Sequence, residues 1–210
     1  MLPRLYAILD VGLCRDRGLD PLAILDAFLD GGATLLQIRD KTSSTASRLE
    51  LADAAVARAH AAGARVIVND RADIARLSGA DGVHVGQDDL PVRDVRAIVG
   101  PDAIVGLSTH DAAQIQDGAQ TTATYLAVGP VYDTRTKQTG YAARGLELIA
   151  LAAATGKPVV AIGAITLERA PEVIAAGAAS VAVISDLLEE RNPAARVRAF
   201  LERLSSIRRI

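Results

Sequence analysis

Cysteine is nearly absent from this chain of 210 residues, with Cys14 the single example, so an internal disulfide framework is excluded. The Cys/His clusters that mark zinc sites are missing as well. Nowhere do about 18 apolar residues run together without a charge, as a membrane-spanning helix would require. The opening MLPRLYAILD lacks the apolar stretch behind a basic segment that marks a signal peptide. Membrane spanning and secretion are therefore not expected, and a reducing cytoplasm is the compartment that fits. Charge of one sign is lacking too. Lys and Arg number 23 against 25 Asp and Glu, for a formal net charge of −2, so no polyanion-binding surface and no nucleic-acid partner are expected. With neither a Pro/Ser-rich linker nor a block of like charges, residues 1–210 read as one domain.

Half of the residues are hydrophobic and 23% are charged, a balance typical of a globular fold and far from that of a disordered chain. At this length folding buries roughly 70% of the unfolded surface, enough for one large core. Short β-branched runs alternate with Ala/Leu-rich stretches throughout, which predicts βα units and a parallel sheet. The candidate strands are 4–10, 34–41, 65–70, 82–86, 104–110, 125–130, 158–163 and 180–185. Helical patterns cover 21–30, 45–62, 72–77, 92–99, 112–118, 146–155, 167–176 and 193–204. Glycines that can end a helix in the left-handed region follow several of these, at Gly31-Gly32, Gly63, Gly79, Gly156 and Gly177. Eight strand–helix units point to a (β/α)8 barrel of the TIM type, with an open doubly wound sheet as the alternative.

In such a barrel the reactive face is built from the C-terminal ends of the strands, so polar residues that end apolar runs are the candidates. The second strand ends in Gln37, Arg39 and Lys41, which alternation puts on one face. Two cations buried at that spacing without partners would be costly, and an anionic ligand accounts for them. Asn69 and Asp70 end the third strand, and Asp88 and Asp89 follow the fourth. Two carboxylates beyond neighbouring strands either hold a hard cation such as Mg2+ or cap the turns around them. The fifth strand ends Ser108-Thr109-His110, which can touch a ligand or cap the next helix. His84, between two valines, is either ligand-facing or a hydrogen-bonded residue of the barrel interior. Residues 131–144 form a loop far longer than the usual 2 to 6 residues of a βα connection, as binding loops and lids do. Its Thr134, Thr136 and Lys137 offer hydroxyls and an ammonium to phosphate. Gly163, Ile184 and Ser185 end the last two strands, where these barrels often bind phosphate. Two anion sites imply two phosphorylated substrates, or one bisphosphate.

The segments GGATLLQIRDK, VIVNDR, ADGVHVGQDDLP, VGLSTH, YLAVGPVYDTRTK and SVAVIS occur in order, each at a strand end. Together they resemble the thiamine-phosphate synthase family over essentially the whole chain. The resemblance implies a (β/α)8 barrel that joins a 4-amino-2-methylpyrimidine diphosphate to a thiazole phosphate carboxylate, releasing thiamine phosphate, diphosphate and CO2. It further implies that Gln37, Arg39, Lys41, Asn69 and Lys137 bind the pyrimidine diphosphate and that Ser108 touches the pyrimidine. Asp70 and Asp89 would hold Mg2+, and Thr134, Thr136, Gly163, Ile184 and Ser185 would receive the thiazole phosphate. The family mechanism is dissociative: diphosphate leaves first and the thiazole nitrogen captures the pyrimidinylmethyl cation. Arg39, Lys41, Ser108 and Lys137 are then the catalytic set. A homo-oligomer is compatible with all of this.

Two positions depart from the family pattern. Thr134-Arg135-Thr136 stands where Thr-Pro-Thr is common, and Gly163-Ala164 where Gly-Gly is usual. If the second glycine needs positive φ, Ala164 carries strain. The rival readings are a thiazole tautomerase of the same superfamily, a non-catalytic phosphate-binding barrel, and a sugar-phosphate epimerase or aldolase. Asp70, Asp89 and Lys137 argue against the first two. The third needs a paired His/Asp metal set or a Schiff-base lysine within a strand.

Overall fold

Parallel β-strands and helices alternate along the chain in a computed structural model that describes residues 2–133, 142–189 and 191–207. Thr134, Arg135, Thr136 and Lys137 lie outside the described residues. In chain order the elements are β1 (Leu5–Asp10), α1 (Val11–Asp16), α2 (Pro21–Asp30), β2 (Leu35–Arg39), α3 (Thr45–Ala61), β3 (Arg65–Asn69), α4 (Ala72–Leu77), β4 (Gly82–Val85) and α5 (Val92–Val99). There follow β5 (Ile104–Thr109), α6 (Ala112–Ala119), β6 (Tyr125–Val128), α7 (Glu147–Ala153), β7 (Val159–Ile162), α8 (Ala170–Ala175), β8 (Ser180–Val183), a 3-10 turn (Ser185–Leu188) and α9 (Pro193–Ser205). The strands close into a barrel in sequence order, with β8 paired back onto β1 through Leu5 opposite Val181 and Ala7 opposite Val183. The (β/α)8 expectation holds, and the open sheet is excluded because a closed ring has no edge strands.

Period-2 alternation sorts each strand into two faces. Outward residues such as Ala7, Leu36, Val66, Val83, Val105 and Leu126 meet the helices in one continuous apolar layer. Inward residues, among them Tyr6, Ile8, Leu35, Ile67, Tyr125 and Val160, fill the barrel itself, so the interior is a packed core and not a pore. The ring of helices closes where α2 meets α9. Gly31 is required there by contact and not by backbone angle, since a Cβ on it would lie 2.6 Å from Val197 Cβ. Gly32, Gly63, Gly79, Gly156 and Gly177 take the positive φ expected of helix stops.

The predicted elements are corrected at two kinds of place. Strand β2 ends at Arg39, two residues earlier than its apolar pattern predicts, because Asp40 turns back and accepts the backbone N–H groups of Thr42 and Ser43, both at 3.0 Å. Lys41 therefore extends from a loop and not from a strand face. Helix α1 and the 3-10 turn were not expected. Both are short, and neither has enough turns to display a helical apolar period.

Candidate active site

Asp10 ends β1 with two jobs. One carboxylate oxygen accepts the Leu13 N–H at 2.9 Å and caps α1, while the other is bound by the Arg39 guanidinium from the end of β2. The side chains of this pair are only 16% and 7% exposed for Arg39 and Asp10, so the bridge sets the direction of Arg39 within the barrel mouth. Sequence reading passed over Asp10, although it obeys the same strand-end rule that singled out its neighbours.

Next to this pair are two buried donors that lack a hydrogen-bond partner among the described residues: Arg39 Nε and Asn69 Nδ2. Buried polar atoms are normally paired. Two orphaned donors at adjoining strand ends are therefore a fitting place for ligand oxygens.

Asp70 and Asp89 come together just beyond. Asp70 adopts a left-handed backbone at φ 63°, which Asp tolerates better than most residues, and its carboxylate takes the Lys41 ammonium. Asp89 accepts the Gly86 N–H at 2.8 Å. Burial, and then the neighbouring Asp70 carboxylate, hold the Asp89 carboxyl above the ordinary carboxylate range, against the opposing pull of the Gly86 N–H and Lys41. Neither side chain caps a helix, since Arg71 and Pro91 occupy the N-cap positions of α4 and α5 with no side-chain cap bond at either, but Asp89 does tie the turn before Pro91 through the Gly86 N–H. Two facing carboxylates carry more negative charge than Lys41 alone can neutralise. With phosphate oxygens and water they suit a hard cation such as Mg2+, which takes few protein carboxylates.

Across the mouth lies a pocket whose lining includes Ser108, His110, Pro130, Gly163, Ala164, Ile184 and Ser185. All three described residues expected at the thiazole phosphate, Gly163, Ile184 and Ser185, thus line it together with Ser108. Gly163 has φ 116°, and a Cβ there would lie 2.6 Å from Pro130 Cα, so only glycine fits. Ala164 takes φ 45°, the positive value that the missing family glycine would have accommodated. Its carbonyl accepts Arg169 Nη1 at 2.9 Å, and the Arg169 guanidinium lies 4.4 Å over the Tyr132 ring. Burial, followed by the nearby Glu172 carboxylate, pushes the Tyr132 phenol up to about 12. On the next strand the 3-10 turn beginning at Ser185 is moored to α9, because Arg196 reaches both oxygens of Asp186 at 3.0 and 3.1 Å.

Ser108 and His110 do not cap α6. Asp111 does, accepting the Gln114 N–H at 2.9 Å. The His110 ring instead bonds the Gly129 carbonyl. His84 faces into the barrel and is hydrogen-bonded there, with Nε2 at 2.9 Å from Ser108 Oγ and Nδ1 at 3.0 Å from the Tyr125 oxygen. A phenol, not a carboxylate, thus stands behind this Ser–His pair. Gln37, 3% exposed, donates to the Tyr6 oxygen at 2.9 Å. Burial raises both phenols, Tyr6 and Tyr125, far above their ordinary range and keeps them neutral. No helix among the described residues is long and apolar enough to cross a membrane.

Residues 5–187 match the family described as thiamine monophosphate synthase. The chain is 45% identical over 211 residues to the thiamine-phosphate synthase of Koribacter versatilis, covering 98% of this chain and 97% of that protein. It is 47% identical over 194 residues to the one from Mycolicibacterium paratuberculosis, covering 86% and 84%. Among solved structures it resembles the thiamine phosphate pyrophosphorylase of Pyrococcus furiosus, with a TM-score of 0.87 and 27% identity over 96% of this chain and 95% of the other. By sequence and by fold, the chain belongs to the thiamine monophosphate synthase family.

Proposed function

We propose that this thiamine-phosphate synthase binds the pyrimidine diphosphate across β2–β4 and the thiazole phosphate across β6–β8, and joins them by departure of diphosphate. The observation that carries the reading is the meeting of Asp70 and Asp89 beside the unpartnered donors of Arg39 and Asn69. Such a site answers both signs of a metal–diphosphate ligand. A monophosphate isomerase would have no leaving diphosphate to answer, which weighs against the tautomerase reading.

In this mechanism Asp70 and Asp89 would hold Mg2+, which would supply neutralisation of the negative charge building on the departing diphosphate. Arg39 is held by Asp10 and offers its free Nε–H to a phosphate oxygen. Asn69 offers its amide N–H alongside. Lys41, paired with Asp70 in this structure, would offer its ammonium to the diphosphate. Lys137 meets the same leaving group from the loop after β6. These groups act most strongly as charge develops, so their contribution lies in the transition state. Gln37 and Ser108 orient the pyrimidine, while Thr134, Thr136, Gly163, Ile184 and Ser185 hold the thiazole phosphate so that its ring nitrogen lies in line with the cationic methylene. The bond-forming step needs no general base.

The test is to mix the purified protein with Mg2+ and both substrates and to assay thiamine phosphate and diphosphate. Product from the complete mixture alone supports the reading. Aromatisation of the thiazole without consumption of the pyrimidine diphosphate would overturn it in favour of the tautomerase.

A further inference from the structure

Polar side chains form an unbroken line through the apolar interior of the barrel. Gln37 from β2 donates to the Tyr6 oxygen of β1, and the Tyr125 hydroxyl of β6 donates to that same oxygen at 3.2 Å. His84 of β4 continues the line from Tyr125 to Ser108 of β5, at 3.0 and 2.9 Å. Every member is buried, Tyr125 completely and Ser108 the least at 8%. The His84 and Tyr125 rings lie nearly parallel, 5.7 Å apart with an interplanar angle of 16°. Room for them is made on β5. A Cβ at Gly106 would sit 2.1 Å from Tyr125 Cζ and 2.5 Å from His84 Nδ1, so the glycine accommodates this contact in particular.

The direction of the bonds follows from the Tyr125–Tyr6 contact. Tyr125 commits its proton to Tyr6 and has only lone pairs left for His84, so Nδ1 of His84 must carry a hydrogen. A neutral imidazole protonated at Nδ1 is bare at Nε2. The bare nitrogen accepts the Ser108 hydroxyl proton. Ser108 has then used its one hydrogen on His84 and has lone pairs alone to offer the cavity that it lines.

We infer that His84 is a positioning residue that fixes Ser108 as a hydrogen-bond acceptor, so that Ser108 receives an N–H of the pyrimidine amino group and does not donate to a ring nitrogen. This rests on the reading above that Ser108 meets the pyrimidine. At the other end Gln37 spends one of its two amide hydrogens on Tyr6 and keeps both an N–H and an oxygen to offer. The Ser108 end alone thus selects for a donor-bearing ring. A deaminated pyrimidine, with oxygen in place of the amino group, would present an acceptor to an acceptor.

The test begins with 15N NMR of histidine-labelled full-length protein, with the His84 signals identified by their loss in His84→Asn. The expected result is Nδ1 protonated and Nε2 bare. Protonation at Nε2, alone or together with Nδ1, would overturn the proposal. Tyr125→Phe keeps the ring and removes the acceptor for Nδ1–H. His84 should then shift toward its Nε2–H form, and the KM for the pyrimidine diphosphate should rise about tenfold, the effect of one mispaired polar group, while the KM for the thiazole phosphate stays the same. In a Ser108→Ala background the same Tyr125→Phe change should add nothing, because Ser108 is the group through which it acts. An equal KM effect with and without Ser108 would reduce Tyr125 and His84 to structural roles and sink the idea. The NMR result does not depend on turnover, so inactivity of the unmutated protein would fail the functional reading while leaving the tautomer measurement to stand or fall separately.

Discussion

At Ala164 a side chain occupies a backbone conformation that favours glycine. Its φ of 45° costs an L-residue roughly 1–2 kcal/mol, and Ala164→Gly removes that strain while adding about 0.4–1 kcal/mol of unfolded-state entropy. The balance predicts a variant about 0.5–1 kcal/mol more stable, read by urea denaturation. A destabilised variant would show the alanine to be unstrained. The second residue-scale prediction concerns charge. Asp70→Asn and Asp89→Asn preserve shape but remove half of the facing carboxylate pair. Turnover should fall about a hundredfold or more, and Mg2+ should cease to raise the melting temperature. Without metal each variant should be at least as stable as the parent, since like charges no longer face each other. If these carboxylates served only as caps, near-normal turnover would persist and stability would fall by about 0.5–2 kcal/mol instead.

Among the elements, α1 joins the first strand to the second through Asp10. The two functions of that carboxylate can be separated, because Asn is as good an N-cap as Asp but, with its one oxygen on the Leu13 N–H, turns an amide N–H toward the Arg39 guanidinium. Asp10→Asn should therefore raise the KM for the pyrimidine diphosphate and lose only the stability that comes from pairing the buried Arg39 charge. Asp10→Ala should raise the KM and lose about 1 kcal/mol more from the missing cap, a difference that thermal melts of the two variants would resolve. An unchanged KM in both would mean that Arg39 holds its direction without Asp10. Elements also explain where sequence reading fell short. The apolar run of β2 is followed by Asp40, whose bonds to Thr42 and Ser43 end the strand at Arg39, and this turn is chemistry that alternation does not register. Helix α1 is invisible for a related reason: Val11 to Asp16 are too few residues to repeat a period, and its stability comes from Asp10 and from burial of Val11 and Cys14.

The molecule as a whole is held closed by contacts between its two ends, β1 with β8 and α2 with α9. Phe28 and Phe200 are fully buried on those helices, in the apolar layer between helices and barrel. Phe200→Ala should cost about 3–5 kcal/mol by equilibrium denaturation, with the kcat of the remaining folded protein unchanged. A lowered kcat would mean that closure of the ring also shapes the mouth. The barrel was legible from the chain because βα alternation, strand by strand, is a local pattern set by backbone geometry and the burial of apolar faces. Gln37, Arg39, Asn69, Asp70, Asp89, Ser108, Gly163, Ile184 and Ser185 were legible as candidates for the same reason, since each lies at or just past the end of an apolar run. Tertiary structure alone decided which of them meet. The facing of Asp70 and Asp89, the salt bridge from Asp10 to Arg39, and the line from Gln37 through Tyr6, Tyr125 and His84 to Ser108 all join residues far apart in sequence. Their pairing depends on strand register and on the curvature of a closed barrel, neither of which leaves a period in the sequence.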